Sequence, residues 1–255
     1  MIAHILTAVE LSPQALFYCM VAVLLGSYLK GYTGFGASMF WVTSLSLVLP
    51  PLQVVPMVLM FEVASSIYLL PHIWKEIEWK SIGVLLIGTW IATPLGIYVL
   101  ASLPATPIRV ALALVVFYAA ILILRGFSLS KMPGRTATVG VGLAAGLLNG
   151  SMGIVGPPVI LFYFSSPIGM AIGRASIITY FIGTDSVGTV MFASQSLIDP
   201  AAYWRTALFL PLLFFGVSIG NRGFIKTDPE TFKKMALYAL MALSVLLIIR
   251  ALWRA

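Results

Sequence analysis

The stretch Gly-Tyr-Thr-Gly-Phe-Gly at residues 31–36 interrupts an apolar segment in the first half of the chain. A second stretch, Asn-Gly-Ser-Met-Gly-Ile-Val-Gly-Pro-Pro at residues 149–158, interrupts the second half in the same way. Glycine permits positive φ and lets another backbone or a ligand approach closely. Each stretch is therefore predicted to break a helix, and a new helix is predicted to begin near Ala37 and near Pro157.

The residues around these stretches are too apolar for a soluble protein. Of the 255 residues, 60% are hydrophobic and 9% are charged, and the mean hydropathy is +1.05. Soluble domains carry about 25% charged residues. Uncharged segments such as 31–61, 81–108 and 136–173 are long enough for membrane helices, since one crossing takes about 20 apolar residues. The predicted fold class is an all-α polytopic membrane protein.

The ionisable residues argue against several other classes of protein. The net charge of +7 comes from basic residues at the ends of apolar segments, where membrane orientation and lipid headgroups explain them, so no nucleic-acid partner is expected. The single Cys19 excludes an internal disulfide, and with two histidines a metal site is not expected. No cofactor is predicted, and no Walker-type loop or nucleophile–base pair points to an ATPase or another enzyme.

Proline, glycine and charged residues divide the chain into ten predicted helices. The first, which lacks the basic start and cleavage site of a signal peptide, is predicted to be retained. The predicted helices cover residues 13–30, 37–50, 52–71, 82–101, 107–125, 138–149, 157–166, 172–194, 204–222 and 230–250.

An internal repeat divides the chain into residues 1–130 and residues 131–255. The stretch 31–36 aligns with 150–155 at an offset of 119. The alternative is that apolar helices resemble one another by chance. Each half is predicted to contain one glycine-broken helical hairpin and three transmembrane helices. A second offset of 125 aligns Trp79-Lys80 with Trp204-Arg205, Pro104 with Pro229, Arg109 with Lys234, and Arg125 with Arg250.

The two halves are predicted to be inverted repeats, which in transporters often meet at the substrate site. If each broken segment is a hairpin, ten basic residues fall on one side and four on the other, with Lys30 left aside. If each is one continuous crossing, the split is eight to six. Because cytoplasmic loops are rich in Lys and Arg, the hairpin arrangement is preferred, with both termini outside. Re-entrant and fully crossing hairpins both return the chain to the side from which it entered. The distribution of basic residues therefore does not distinguish them, and both remain open.

Two helix N-termini that face one cavity would form an anion site, because unpaired amides and the helix dipole favour negative charge. Lys30 precedes the first stretch and Asn149 occupies the matching place in the second. Lys30 is predicted to supply positive charge, and nearby polar side chains are predicted to donate hydrogen bonds. The alternative is close helix packing through small residues. The predicted binding residues are Lys30, Thr33, Gly34, Gly36, Ser38, Asn149, Ser151, Gly153 and Gly156.

Two carboxylates, Glu62 and Asp185, lie within apolar segments at roughly matching places in the two halves. A carboxylate inside the bilayer is costly, so each is predicted to have a buried partner or to take part in proton coupling. The alternative is a position near a helix end, within reach of headgroups or a basic residue. Arg174 follows the second hairpin and is a candidate gate at the cytoplasmic mouth, or else an orientation anchor.

The two stretches together resemble the TauE/SafE sulfite exporter family. The first precedes a helix that ends at Pro50-Pro51, and the second, Gly146 to Pro158, is the more specific. The resemblance covers essentially the whole chain. It implies a membrane transporter for sulfite, organosulfonates or related sulfur-containing anions, in the bacterial cytoplasmic membrane.

The predicted function is a secondary transporter of a small anion, working by alternating access around the two stretches. Export is the predicted direction, and coupling of transport to protons is part of the prediction. An anion channel, a membrane-embedded enzyme and a structural subunit are the alternatives. The predicted partners are the small anionic substrate and membrane lipid, and the sequence is compatible with a homo-oligomer.

Overall fold

The structure, a computed structural model, describes residues 10–125, 132–224, 238, 241–242, 244–249 and 253. No strand occurs in these ranges, so the all-α prediction is confirmed. Between residues 10 and 224 the described elements are nine α-helices and one short 3-10 helix. They are α1 Pro13–Thr33, α2 Ala37–Leu45, α3 Pro51–Ile73, the 3-10 helix Trp74–Glu76, α4 Trp79–Ser102, α5 Ala105–Leu124, α6 Arg135–Met152, α7 Gly156–Ser165, α8 Met170–Ser194 and α9 Pro200–Phe224.

Six helical segments in the described part of the chain are long and apolar enough to cross a membrane. Large apolar side chains on them are exposed, as at Phe17 (70%), Ile91 (65%) and Val190 (67%). An apolar surface of this extent suits lipid rather than water. The polytopic membrane architecture is thus confirmed. The six segments are Pro13–Thr33, Pro51–Glu76, Trp79–Ser102, Ala105–Leu122, Ala171–Ser194 and Pro200–Gly223.

The helices that follow the two glycine stretches are too short to cross a bilayer. α2 has 9 residues and α7 has 10. At 1.5 Å per residue each is about 15 Å long, against a hydrocarbon core of about 30 Å. Each of these two helices therefore covers about half of that thickness. The predicted helix 37–50 is too long, since α2 ends at Leu45 and hydrogen-bonded turns lead to Pro50.

The other predicted helices agree with the structure to within a few residues at each end. α9 begins at Pro200 because the Asp199 carboxylate accepts a 2.9 Å hydrogen bond from the amide of Ala201 and proline suits the first helical turn. α6 is longer than predicted at both ends. The tenth predicted helix, 230–250, lies mostly outside the described residues, although residues 244–249 are helical.

Two pairs of parallel helices pack with their backbones in direct contact: α1 with α9, and α4 with α6. A Cβ on Gly146 would lie 2.2 Å from the carbonyl oxygen of Thr89, and one on Gly220 would lie 2.2 Å from the carbonyl oxygen of Tyr28. Only glycine fits such an approach, which is typical of small-residue packing in membranes. The contacts between α4 and α6 show that these helices are parallel, because the residue numbers increase together along both. Leu85 contacts Gly142, Thr89 contacts Gly146, and Thr93 contacts Gly150.

The start and the end of the first hairpin lie on the same face of the bundle. The buried Arg205 of α9 donates a 3.0 Å hydrogen bond to Oε1 of Gln53, in the first turn of α3. The same guanidinium lies 3.7 Å from the carboxylate of Glu10, which precedes α1. The chain between Glu10 and Gln53 therefore leaves this face and returns to it.

Candidate functional site

α1 ends in a left-handed turn that separates it from α2. Gly34 has a φ of 79° and its amide donates a 2.8 Å hydrogen bond to the carbonyl oxygen of Lys30, while Gly36 has a φ of 78°. A residue with a Cβ is disfavoured in this conformation by about 1–2 kcal/mol. The hydroxyl of Thr33 accepts a 3.1 Å hydrogen bond from the amide of Phe35. Thr33 therefore shapes the break.

α6 ends in the same manner. Gly153 has a φ of 64°, and its amide donates a 2.8 Å hydrogen bond to the carbonyl oxygen of Asn149. α7 then begins at Gly156. The hydroxyl of Ser151 donates a 2.6 Å hydrogen bond to the carbonyl oxygen of Leu147 in its own helix. Ser151, like Thr33, thus has a backbone partner.

The two breaks meet inside the protein. A Cβ built on Gly36 and a Cβ built on Gly156 would each lie 3.8 Å from the Cε atom of Met39. A Cβ on Gly153 would lie 3.4 Å from the side chain of Val42, also in α2. All five residues are buried. The structure therefore brings the starts of α2 and α7 together around one methyl group.

The two helix starts differ in the hydrogen-bond donors that they offer. No side chain caps the first turn of α2, at residues 37–39. α7 begins with Gly156 and two prolines, and proline has no amide hydrogen to donate. α2 is therefore the main source of backbone donors, whereas α7 contributes chiefly its dipole.

Two of the predicted binding side chains lack a hydrogen-bond partner among the residues that the structure describes. They are Ser38, whose Oγ lies in the first turn of α2, and Asn149, both of whose amide atoms are unpartnered. Both side chains are buried, and Nδ2 of Asn149 lies 3.4 Å from the position of a Cβ on Gly188 of α8. A buried polar group without a partner costs about 1–3 kcal/mol. Such groups at two adjacent helix ends favour a polar ligand.

Lys30 has a partner within the protein. Its ammonium group forms an ion pair with the carboxylate of Glu62 in α3, and both side chains are buried. The ammonium also lies 4.2 Å from the centre of the Phe181 ring in α8, in the geometry of a cation–π interaction. The positive charge predicted for the site is therefore already balanced by a carboxylate. Glu62 has a buried basic partner, which was one of its two predicted roles.

Asp185 of α8 lies where Lys30 and Asn149 approach each other. Its carboxyl group interacts electrostatically with Lys30 and Glu62, and the Asn149 amide lies beside it without reaching hydrogen-bond geometry. The hydroxyl of Thr184 donates a 3.1 Å hydrogen bond to Oδ1. The other oxygen, Oδ2, has no hydrogen-bond partner in the described structure, and the residue is 1% exposed. The two carboxylates predicted for coupling therefore belong to one buried cluster.

Arg174, in the first turns of α8, links three helices next to the first break. Its guanidinium donates hydrogen bonds to the carbonyl oxygen of Gly31 at 2.7 Å and to Oδ1 of Asn221 at 3.1 Å. A Cβ on Gly34 would lie 2.7 Å from Cγ of Arg174. The gating role of Arg174 stays a prediction, and its position ties the end of α1 to α8 and α9.

Phe181, which contacts the Lys30 ammonium, was not among the residues predicted from the sequence. It lies on the face of α8 that carries Asp185, since residues four apart share a helix face. That spacing is the signal that could have found it. Among the described residues, no group of three or more His, Cys, Asp or Glu side chains could hold a metal ion.

Helix breaks that meet beside buried polar groups, inside a bundle of helices apolar enough to cross a membrane, are typical of membrane transporters. The family described as sulfite exporter TauE/SafE matches residues 18–247, and the chain belongs to this family. It is an integral membrane protein and not an enzyme.

Two relatives agree with this assignment. The chain is 28% identical to the "Probable sulfite/organosulfonate exporter TauE" of Cupriavidus necator over 233 residues, which are 89% of this chain and 91% of the relative. It is 26% identical to the "Probable inner membrane transporter protein TsaS" of Comamonas testosteroni over 184 residues, 71% of this chain and 76% of the relative. No solved structure is significantly similar to the chain.

Proposed function

We propose that this protein is a secondary transporter that exports a small sulfur-containing anion, such as sulfite or an organosulfonate, across the bacterial cytoplasmic membrane. Proton coupling through Glu62 and Asp185 is part of the proposal. The relatives support the substrate class and the membrane, since one is named as a sulfite/organosulfonate exporter and the other as an inner membrane transporter. The observation that carries the proposal is the meeting of two helix starts beside the unpartnered, buried Ser38 and Asn149.

The anion is held mainly at the start of α2. The amides of residues 37–39 and the Ser38 hydroxyl donate hydrogen bonds from one side, and the Asn149 amide donates from α6. A sulfite or sulfonate group has three oxygens that accept hydrogen bonds from different directions, which suits donors from two helices. The positive ends of the α2 and α7 dipoles add to the attraction.

Transport follows alternating access between two inverted halves, residues 1–130 and 131–255. The helix directions support this arrangement. α4 and α8 begin on the same face, where the Glu78 amide donates a 2.9 Å hydrogen bond to Oγ of Ser176. A short turn reverses the chain between α8 and α9. α4 and α8 therefore run in one direction across the bundle, and α9 runs in the other. Because α6 is parallel to α4 and α1 is parallel to α9, α1 and α6 run in opposite directions, and the two broken hairpins start from opposite faces.

In this structure the site is closed to both faces. Lys30, Ser38, Asn149 and Asp185 are each at most 2% exposed. Opening to one face requires separation of the helix ends linked by Arg174, and opening to the other requires separation of those linked by Arg205. The two arginines thus mark the two gates of the cycle.

A basic cavity of about 470 Å³ opens where α4 and α6 begin. Its lining includes Lys80, Arg135, Glu78 and Phe162 of α7. Two basic groups and one acidic group leave it positively charged, which raises the local concentration of anions. This cavity is the approach to the site from the cytoplasm.

The proposal is tested by flux in proteoliposomes of the purified protein. Sulfite, sulfate, thiosulfate, sulfoacetate, taurine and 2-hydroxyethanesulfonate are compared under equal gradients. We expect saturable flux of at least one sulfur oxyanion. A flux that rises linearly with concentration would indicate a channel, the second candidate function, and no flux of any of the six would contradict the proposal.

A further inference from the structure

The buried cluster beside the site contains one more carboxylate than ammonium group. Lys30 of α1 faces Glu62 of α3 and Asp185 of α8, and each of the three is at most 1% exposed. The ion pair between Lys30 and Glu62 balances one charge of each sign. Oε1 of Glu62 and Oδ2 of Asp185 are both buried without a hydrogen-bond partner in the described ranges. If both carboxylates are ionised, the cluster has a net charge of −1.

Arg174, the other buried basic residue near Lys30, does not neutralise Asp185. It precedes Asp185 by eleven positions on the same helix, which is about 16 Å along the axis. Its guanidinium is held by Gly31 and Asn221, at the far side of the first break. The excess negative charge therefore stays with the two carboxylates.

The remaining groups that face Asp185 from the helices around it are uncharged. α6 presents the amide of Asn149, and α8 itself presents Thr184 and Tyr180. The Tyr180 hydroxyl is hydrogen-bonded to Thr89 of α4. The titratable side chain of α7 is Tyr163, whose hydroxyl lies 2.8 Å from that of Ser81. Among the described residues, no second cation is thus in place for the second carboxylate.

A buried charge without a partner is too costly to persist, so such a group takes up a counter-charge or becomes neutral. A proton is the counter-charge that fits between packed side chains, and it binds either unpartnered carboxylate oxygen. In the empty site one such proton neutralises the cluster. An anion arriving at Ser38 and Asn149 then adds one more negative charge next to it. Each negative charge on the anion therefore increases the affinity for a proton, and by linkage the proton increases the affinity for the anion.

We infer that the cluster of Lys30, Glu62 and Asp185 is a proton-binding site that fills together with the anion site. One proton accompanies each negative charge of the substrate, and both cross the membrane in the same direction. The proton moves between water and a carboxylate oxygen, and no other covalent bond changes. This inference rests on the proposed function. Export is then driven by the outward gradient of the anion itself. Exchange of the anion against a proton would instead require that binding of the one weakens binding of the other.

The direction of proton movement tests the inference in proteoliposomes that contain a pH-sensitive dye. The probe is 2-hydroxyethanesulfonate, a monovalent anion that does not titrate near neutral pH, and its efflux is measured in parallel with radiolabel. We expect efflux to make the lumen more alkaline, with one proton per anion and no dependence on a potential set by potassium and valinomycin. Acidification of the lumen, or anion flux without a pH change, would overturn the inference.

Proton uptake by the purified protein separates this inference from the proposed function. In a weakly buffered solution, 2-hydroxyethanesulfonate should cause uptake of about one proton per bound anion, since one charge is added to the cluster. The Asp185→Asn variant should shift the pH at which this uptake is half-maximal, because it removes one of the two carboxylates that hold protons. Glu76→Gln, which removes an exposed carboxylate, should leave that pH unchanged. Uptake without flux would contradict only the transport proposal. Anion binding without uptake would contradict the proton site.

Discussion

The guanidinium of Arg174 donates a 2.7 Å hydrogen bond to the carbonyl oxygen of Gly31, in the last turn of α1. The bond joins residues 143 positions apart in sequence, and the Asn221 amide oxygen completes the contact. Because Gly34 and Gly36 follow within five residues of Gly31, we expect any movement of the first break toward this face to release Arg174.

Replacement of Arg174 by alanine should open the site from the face where α9 ends. The reporter is a cysteine at position 38, introduced as Ser38→Cys together with Cys19→Ala, since Cys19 is the single natural cysteine. Loss of two hydrogen bonds of about 1 kcal/mol each should increase labelling by a membrane-impermeant maleimide about thirtyfold. Arg222→Ala removes an exposed charge next to Asn221 and should leave labelling unchanged. Equal labelling in the two variants would exclude Arg174 as a gate.

Ser38→Ala should weaken anion binding about tenfold, because a hydrogen bond to a charged group is worth about 1.5–3 kcal/mol. The matched control is Ser44→Ala in the same helix. The Ser44 hydroxyl donates a 2.6 Å hydrogen bond to the carbonyl oxygen of Phe40, so it is already occupied. Calorimetric titration with the best anion of the flux panel measures both. An equal loss in the two variants would show that Ser38 does not contact the ligand.

Lys30→Met should destabilise the protein by about 3–5 kcal/mol, because it leaves Glu62 buried without its partner. The double variant Lys30→Met with Glu62→Gln removes both charges and should recover most of that stability. Thermal unfolding in detergent measures the difference. Wild-type stability of the single variant would show that the ion pair is not formed. If Lys30 also attracts the substrate, the double variant should fold but bind the anion poorly.

Gly146→Ala should separate α4 from α6. The added methyl group would lie 2.2 Å from the backbone oxygen of Thr89, which cannot move without displacing its helix. Overpacking of this kind costs about 1–3 kcal/mol. Gly140→Ala on the same helix has nothing within 4 Å of the new methyl and should be neutral or slightly stabilising. The melting temperatures of the two variants provide the test. A similar shift in both would show that the difference in helix propensity between glycine and alanine accounts for the whole effect.

The sequence alone predicts the membrane class, the helix breaks and most helix boundaries, because these depend on local signals. Glycines at 34, 36 and 153 adopt the positive φ that the break prediction implies. The early end of α2 at Leu45 was missed, since residues 46–49 are as apolar as the helix before them and only their turn geometry distinguishes them.

The partners of the polar residues could not be predicted, because they come from distant parts of the chain. Lys30 and Glu62 are 32 positions apart, and nothing in the sequence indicates that their helices meet. Thr33 and Ser151 were expected to donate to a ligand, yet each hydroxyl donates to a carbonyl oxygen of its own helix, that of Leu29 or of Leu147. The binding role of the predicted residues stays a prediction.

The parallel pairing of α1 with α9 also constrains how the protein is made. α1 is synthesised well before α9, the last described helix that is long enough to cross the membrane, yet the glycine-containing surface of α9 is what covers it. During most of translation α1 must remain in lipid or be sheltered by the insertion machinery. A truncated product that ends before Pro200 would leave α1 uncovered, which makes it a target for membrane proteases.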